Sequence, residues 1–174
     1  MKYYIGIDLG GTNIKAGVVN EEFEIIAKAT CKTNLPRPAE EICEDMAKVA
    51  LEAVKNAGLE IEQIESVGIG TPGTANSDTG VIEYSNNLGF LNFHVVDLMK
   101  KFIDKPCYVE NDANAAAYGE DTLPSSSFIF HMIESLSSNI ASFVILTRPV
   151  AEENTSKQPC LPQVHCGPLG SITV

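Results

Sequence analysis

One run constrains the fold of this chain more than any other: Ile5-Gly6-Ile7-Asp8-Leu9-Gly10-Gly11-Thr12-Asn13-Ile14-Lys15-Ala16-Gly17-Val18-Val19. Two apolar runs flank Gly-Gly-Thr-Asn, a pattern that predicts a β-hairpin whose tip needs unusual backbone angles. Paired glycines let backbone N–H groups converge on a small anion-binding concavity, to which the Thr12 hydroxyl adds a donor. Asp8, near the end of the first strand, is placed to hold a hydrated Mg²⁺, which takes a few carboxylates together with water and phosphate. Lys15 sits on the second strand. On these residues alone, a phosphate-gripping hairpin and a plain tight hairpin with a solvated Asp both stay open. A Walker loop needs Gly-Lys-Ser/Thr opening a helix, and a dinucleotide fingerprint needs three spaced glycines before one. Here a strand follows, so neither applies.

The 174 residues suffice for one domain with a real core. A formal charge of −11 argues against a general nucleic-acid or anionic-membrane partner, since both need clustered Lys and Arg. It does not argue against ATP, which needs only local donors. No apolar run reaches the length of a membrane span, and no basic stretch followed by an apolar core opens the chain. The first strand begins almost at Met1, and nothing is expected to precede it. Five cysteines at scattered spacings predict reduced thiols in a cytoplasmic protein. Cys31, Cys43 and Cys107 read as small core or surface residues rather than nucleophiles, because no His is positioned to activate them.

Along the chain, Ile25 to Thr30 reads as a third strand and completes an antiparallel meander. Ala39 to Ala57 reads as a helix, with Ile42, Met46, Val49, Ala50, Ala53 and Val54 at helical spacing and Gly58 placed as its C-terminal cap. Glu40, Glu41, Glu44 and Asp45 read as a solvated acidic end that matches the helix dipole. Ile64 to Ile69 forms the next strand of an α/β sheet and runs into Gly70-Thr71-Pro72-Gly73-Thr74, a tight loop that lets a ligand approach backbone. Gly80 to Tyr84 reads as a short strand, followed by a loop, Ser85-Asn86-Asn87-Leu88-Gly89-Phe90. Adjacent Asn86 and Asn87 offer both donors and acceptors to a polyhydroxylated ligand, and they equally suit a plain turn. Val95 to Phe102 reads as a short helix. A short strand from Cys107 then runs into Glu110-Asn111-Asp112 and an Ala-rich helix. Asp112 can cap that helix, and a carboxylate at the carboxyl end of a sheet strand can also accept a hydroxyl proton during phosphoryl transfer.

Four of these segments, in this order, resemble the ROK family of bacterial glucokinases, other hexose kinases and sugar-responsive repressors. They are Asp8-Leu9-Gly10-Gly11-Thr12-Asn13-Ile14-Lys15, the Gly70-Thr71-Pro72-Gly73 and Asn86-Asn87-Leu88-Gly89-Phe90 loops, and Asn111-Asp112-Ala113-Asn114-Ala115-Ala116. The resemblance covers about residues 2 to 120. It implies a ribonuclease H-like lobe of the actin-like ATPase superfamily, with a mixed five-stranded sheet flanked by helices. It further implies ATP and Mg²⁺ as cofactors and a hexose as substrate. By that resemblance Asp8, Gly10, Gly11, Thr12, Asn13 and Lys15 bind the ATP phosphates, with Mg²⁺ held near Asp8 through water. Asp112 is the base, and Gly73, Asn86, Asn87, Asn111 and Asp112 line the sugar site.

After Glu120 the texture changes, so two segments are expected: residues 1–120 as the N-terminal lobe, and 121–174 as an atypical ending, replaced or shifted in frame. Apolar stretches at 128–133 and 142–147 offer strands or a helix. The family's second Gly-rich phosphate loop and its His and Glu sugar contacts have no counterpart there. Cys160, His165 and Cys166 supply three of the four ligands that tetrahedral zinc needs, at unsuitable spacing, so no zinc site is expected. A lone lobe would expose its interlobe face as an apolar patch, favouring a homo-oligomer such as a dimer. It would also hold ATP poorly. The expected function is ATP-dependent hexose phosphorylation, incomplete in this chain. The alternatives are a non-catalytic sugar- or protein-binding lobe and a fragment of a ROK transcriptional regulator. The acidic charge, and Met1 standing where a helix-turn-helix would need to precede the hairpin, weigh against DNA binding.

Overall fold

In a computed structural model, residues 1–115 are described. Strands β1 (Tyr3–Leu9), β2 (Asn13–Asn20) and β3 (Ile25–Lys32) form the expected meander. Helix α1 (Ala39–Asn56) and a single 3₁₀ turn (Ile61–Gln63) lead to β4 (Ile64–Thr71). Three short strands follow, β5 (Thr74–Asn76), β6 (Val81–Ser85) and β7 (Phe90–Phe93), then helix α2 (Val95–Phe102) and β8 (Cys107–Asn111). The strands form a five-stranded sheet, ordered β3-β2-β1-β4-β8, and a three-stranded antiparallel sheet, ordered β5-β6-β7. Strands β1, β4 and β8 run parallel, so the large sheet is mixed.

Alternation decides the faces of the large sheet. Ile5, Ile7 and Leu9 of β1 and Ile14, Ala16 and Val18 of β2 are fully buried in one cluster with the apolar face of α1, including Ile42, Met46, Ala50 and Ala53. Each such Ile or Leu contributes roughly 1.5–3 kcal/mol through lost water contact. The opposite parity carries Asp8 and Lys15, which face each other across the β1–β2 ladder. Helix α1 ends in a Schellman motif: the Gly58 N–H donates to Lys55, the Leu59 N–H donates to Val54, and Gly58 takes φ +69° as its expected role requires. Its acidic end is less free than its spacing suggests. Arg37 binds Asp45 at 2.5 Å, and Lys48 pairs with Glu44 at 2.9 Å.

Two expectations need correction. Neither Gly10 nor Gly11 takes a positive φ, so the hairpin tip does not owe its glycines to left-handed backbone. Gly10 is required for a different reason: a Cβ there would lie 2.8 Å from the Asn13 carbonyl oxygen. Second, the stretch from Gly70 to Phe90 is not two loops around one strand. Its turn residues are hinge points of the β5-β6-β7 sheet. Gly80 caps a turn at φ +72°, packed against Val96 of α2, and Gly89 closes the Asn86–Gly89 turn. The end of the Ala-rich segment beyond Ala115, the apolar stretches at 128–133 and 142–147, and Cys160, His165 and Cys166 lie outside the described residues.

Candidate functional site at the carboxyl edge of the sheet

The parallel strands set the site, because β1, β4 and β8 all end at one edge. Register places Lys15 opposite Asp8, Asp8 beside Gly70, and Gly70 beside Glu110. Directly paired residues share a face, so this row holds a lysine and two carboxylates with only a glycine between the acids. Neighbouring strands lie about 4.8 Å apart, which puts the Asp8 and Glu110 backbones about 10 Å apart. Lys15 Nζ lies 3.8 Å from the Asp8 carboxylate, whose side chain keeps 15% of its exposure.

The hairpin tip stands at the end of that row. The Gly10 N–H donates to the Asn13 carbonyl at 3.0 Å, which closes the turn. Gly11 and Thr12 are exposed, and their N–H groups have no acceptor among the described residues. Next to the tip lies the Asn86–Asn87 turn. A Cβ on Gly11 would come 3.8 Å from the Asn87 Cβ. Both asparagines are exposed, while Leu88 and Phe90 behind them are 4% exposed and anchor the turn in the core. The Tyr84 hydroxyl donates to Asn86 Oδ1 at 3.3 Å.

The third part is the β8 terminus. Residues 112–115 begin a helix, and Asn111, not Asp112, caps it. Its Oδ1 accepts the N–H groups of Ala113 at 3.0 Å and Asn114 at 3.1 Å, the N2 and N3 donors of that helix. The Asn111 Nδ2 meanwhile donates to the Gly73 carbonyl at 2.7 Å. Asp112 is therefore relieved of capping and stands half-exposed in the first turn, where its Oδ1 accepts the Ala113 N–H at 2.8 Å. Gly73 is fixed from both sides: it takes φ +100°, and a Cβ would sit 2.1 Å from the Tyr84 carbonyl oxygen.

Glu110 ties these pieces together, a role that no motif or spacing announces. Its carboxylate accepts hydrogen bonds from Ser77 Oγ at 2.5 Å, Asn114 Nδ2 at 3.1 Å and the Asn111 N–H at 2.9 Å. Partial burial pushes its pKa up, but the Ser77, Asn114 and backbone donors outweigh that and hold it below the ordinary value. Among the described residues no three His, Cys, Asp or Glu side chains gather as a metal cluster. Asp8 is one hard oxygen donor, which suits Mg²⁺ only when water and phosphate supply the other ligands. Cys43 and Cys107 are buried, and burial pushes both thiols up to about 12, so neither is a nucleophile.

The ROK family model matches residues 4–134. The chain belongs to the ROK family. A glucokinase from Thermotoga maritima is 34% identical over 117 residues, covering 67% of this chain and 35% of that protein. A crystal structure of a ROK family glucokinase from Streptomyces griseus, in complex with glucose and AMPPNP, aligns with a TM-score of 0.61 and 35% identity. It covers 68% of this chain and 36% of that one. A xylose repressor from Caldicellulosiruptor bescii is 28% identical over 116 residues, 67% of this chain and 29% of the repressor. The fold is the actin-like ATPase fold of the ROK sugar kinases, and the chain spans about 35% of the length of the curated glucokinase. No described helix is long and apolar enough to cross a membrane.

Proposed function

We propose that this chain carries the phosphate- and sugar-gripping lobe of an ATP-dependent hexose kinase of the glucokinase type. One observation carries the reading: segments remote in sequence converge, Gly11 lying beside Asn87 and Asn111 bonding to Gly73, whose backbone packs on Tyr84 and Ser85 just ahead of Asn86–Asn87. In this reading the free N–H groups of Gly11 and Thr12, the Thr12 hydroxyl, Asn13 and Lys15 receive the ATP phosphates. Asp8 would hold Mg²⁺ through water, and the ion would neutralise phosphate charge when bound with ATP. Asn86, Asn87, Asn111 and the backbone at Gly73 contact the hexose hydroxyls. Asp112 accepts the proton of the attacking hydroxyl, a contribution typically worth 10²–10⁴ in rate. Residues 1–120 act as the lobe and 121–174 as a distinct ending. Buried thiols at Cys43 and Cys107 suit the reducing cytoplasm.

The test is phosphoryl transfer from MgATP to a panel of hexoses, read as ADP release by the full chain. Turnover is expected to fall about 10²–10⁴-fold in Asp112→Asn while hexose binding persists. Turnover that survives this substitution at the starting rate removes Asp112 as the base. A second reading, a non-catalytic sugar-binding lobe, draws on the exposed Asn86–Asn87 pair, which offers donors and acceptors to hydroxyls without any charged group. It predicts heat of hexose binding in calorimetry with no ADP release under any condition.

A further inference from the structure

Behind the hairpin tip stands a residue that the proposed function does not use. Thr33 lies just past β3, is fully buried at 0% exposure, and touches the tip twice. Its hydroxyl donates to the Gly10 carbonyl at 2.6 Å, and its N–H donates to the Thr12 carbonyl at 3.0 Å. Both bonds grip peptide planes, and a trans peptide carries its C=O and the following N–H on opposite sides. The Gly10 carbonyl shares its plane with the Gly11 N–H. Pulling that oxygen inward turns the Gly11 N–H outward, away from the core. The Gly10 N–H belongs to the preceding peptide plane and closes the turn on the Asn13 carbonyl.

We propose that Thr33 is the positioning residue of the phosphate grip, its buried hydroxyl orienting the Gly10–Gly11 peptide so that the Gly11 N–H meets a phosphate oxygen. The inference rests on reading the tip as a phosphate site. A hydroxyl is needed there, not bulk. Valine matches threonine in shape but leaves the Gly10 carbonyl without its buried donor, so the peptide is free to rotate. Serine keeps the donor and loses only a methyl group.

The experiment uses the ¹⁵N-labelled full chain as wild type, Thr33→Val and Thr33→Ser, titrated separately with MgADP and with a hexose. In wild type, MgADP is expected to move the Gly11 amide resonance. Thr33→Val should weaken MgADP binding about tenfold or more and abolish the Gly11 shift, leaving hexose affinity within about twofold. Thr33→Ser should restore both to within about threefold of wild type. Equal MgADP affinity in wild type and Thr33→Val overturns the proposal, as does a Thr33→Ser variant as impaired as Thr33→Val. A wild type that binds hexose but no MgADP overturns the phosphate reading of the tip and the role of Thr33 with it.

Discussion

The two sheets of this molecule are built to different standards. The five-stranded sheet backs its site edge with side chains of zero exposure, Ile5, Ile7, Leu9 and Ile69 among them. The three-stranded sheet hangs on Ile82, Leu88, Phe90 and the packing of Gly80 against Val96, and its outer face leaves the Tyr84–Leu91 pair at 53% and 73% exposure. The large sheet positions Asp8, Lys15 and the strand leading to Asp112. The small one presents Asn86 and Asn87. The charged groups thus sit on the more deeply buried layer, while of the asparagines proposed to read hydroxyls Asn111 ends β8 of the large sheet and Asn86 and Asn87 sit on the light one, where a small repacking changes their spacing.

Three substitutions break or sharpen this contrast. Ile7→Ala should remove about 2–5 kcal/mol from the global unfolding free energy, because it opens a cavity where the sheet meets α1. Gly73→Ala should act locally. It forces a Cβ against the Tyr84 carbonyl at a positive φ, so hexose affinity should fall about tenfold or more while chemical denaturation moves by about 1–3 kcal/mol. If Gly73→Ala unfolds the chain as severely as Ile7→Ala, the two sheets form one cooperative unit and the contrast is wrong. The smallest effect is expected from Glu110→Gln, which trims the bridge between the sheets. Because the folded-state pKa of Glu110 lies below its ordinary 4.5, its charged form stabilises the fold above that pH, and the contribution fades as pH falls through the lowered value. Wild type should therefore exceed Glu110→Gln by under about 1 kcal/mol at neutral pH, with the gap closing in acid.

The same contrast explains what was legible in the sequence. Strands β1, β2 and β4 and helix α1 carry long apolar periods, so their existence and their core faces follow from spacing. Strands β5 and β7 have three and four residues, with only Phe90 buried among them, inside segments rich in Gly, Asn and Thr, and turn chemistry masks the pairing. The site divides along similar lines. The Gly-Gly-Thr-Asn tip and Asn111-Asp112 announce themselves by composition. Thr33 and Glu110 do not, because their roles depend on which distant backbone they face. Register was the usable signal for Thr33: continuing the β2–β3 ladder beyond Asn13 and Lys32 sets Thr33 opposite Thr12. The capping role, which composition suggests for Asp112, falls to Asn111, because the geometry of the strand end aims the Asn111 Oδ1 at the Ala113 and Asn114 N–H groups.

The parallel pairing of β8 with β4 has a consequence for the order of events during synthesis. The hairpin and β3 can form from neighbouring residues as soon as they leave the ribosome, because their ladder spans few positions. The edge that unites Asp8 with Asn111 has no such shortcut. It waits for Cys107–Asn111, the last strand among the described residues, to dock beside β4 across an intervening helix and a whole second sheet. A nascent chain stalled short of residue 107 would already own the glycine tip, yet it would lack the strand that leads into Asp112.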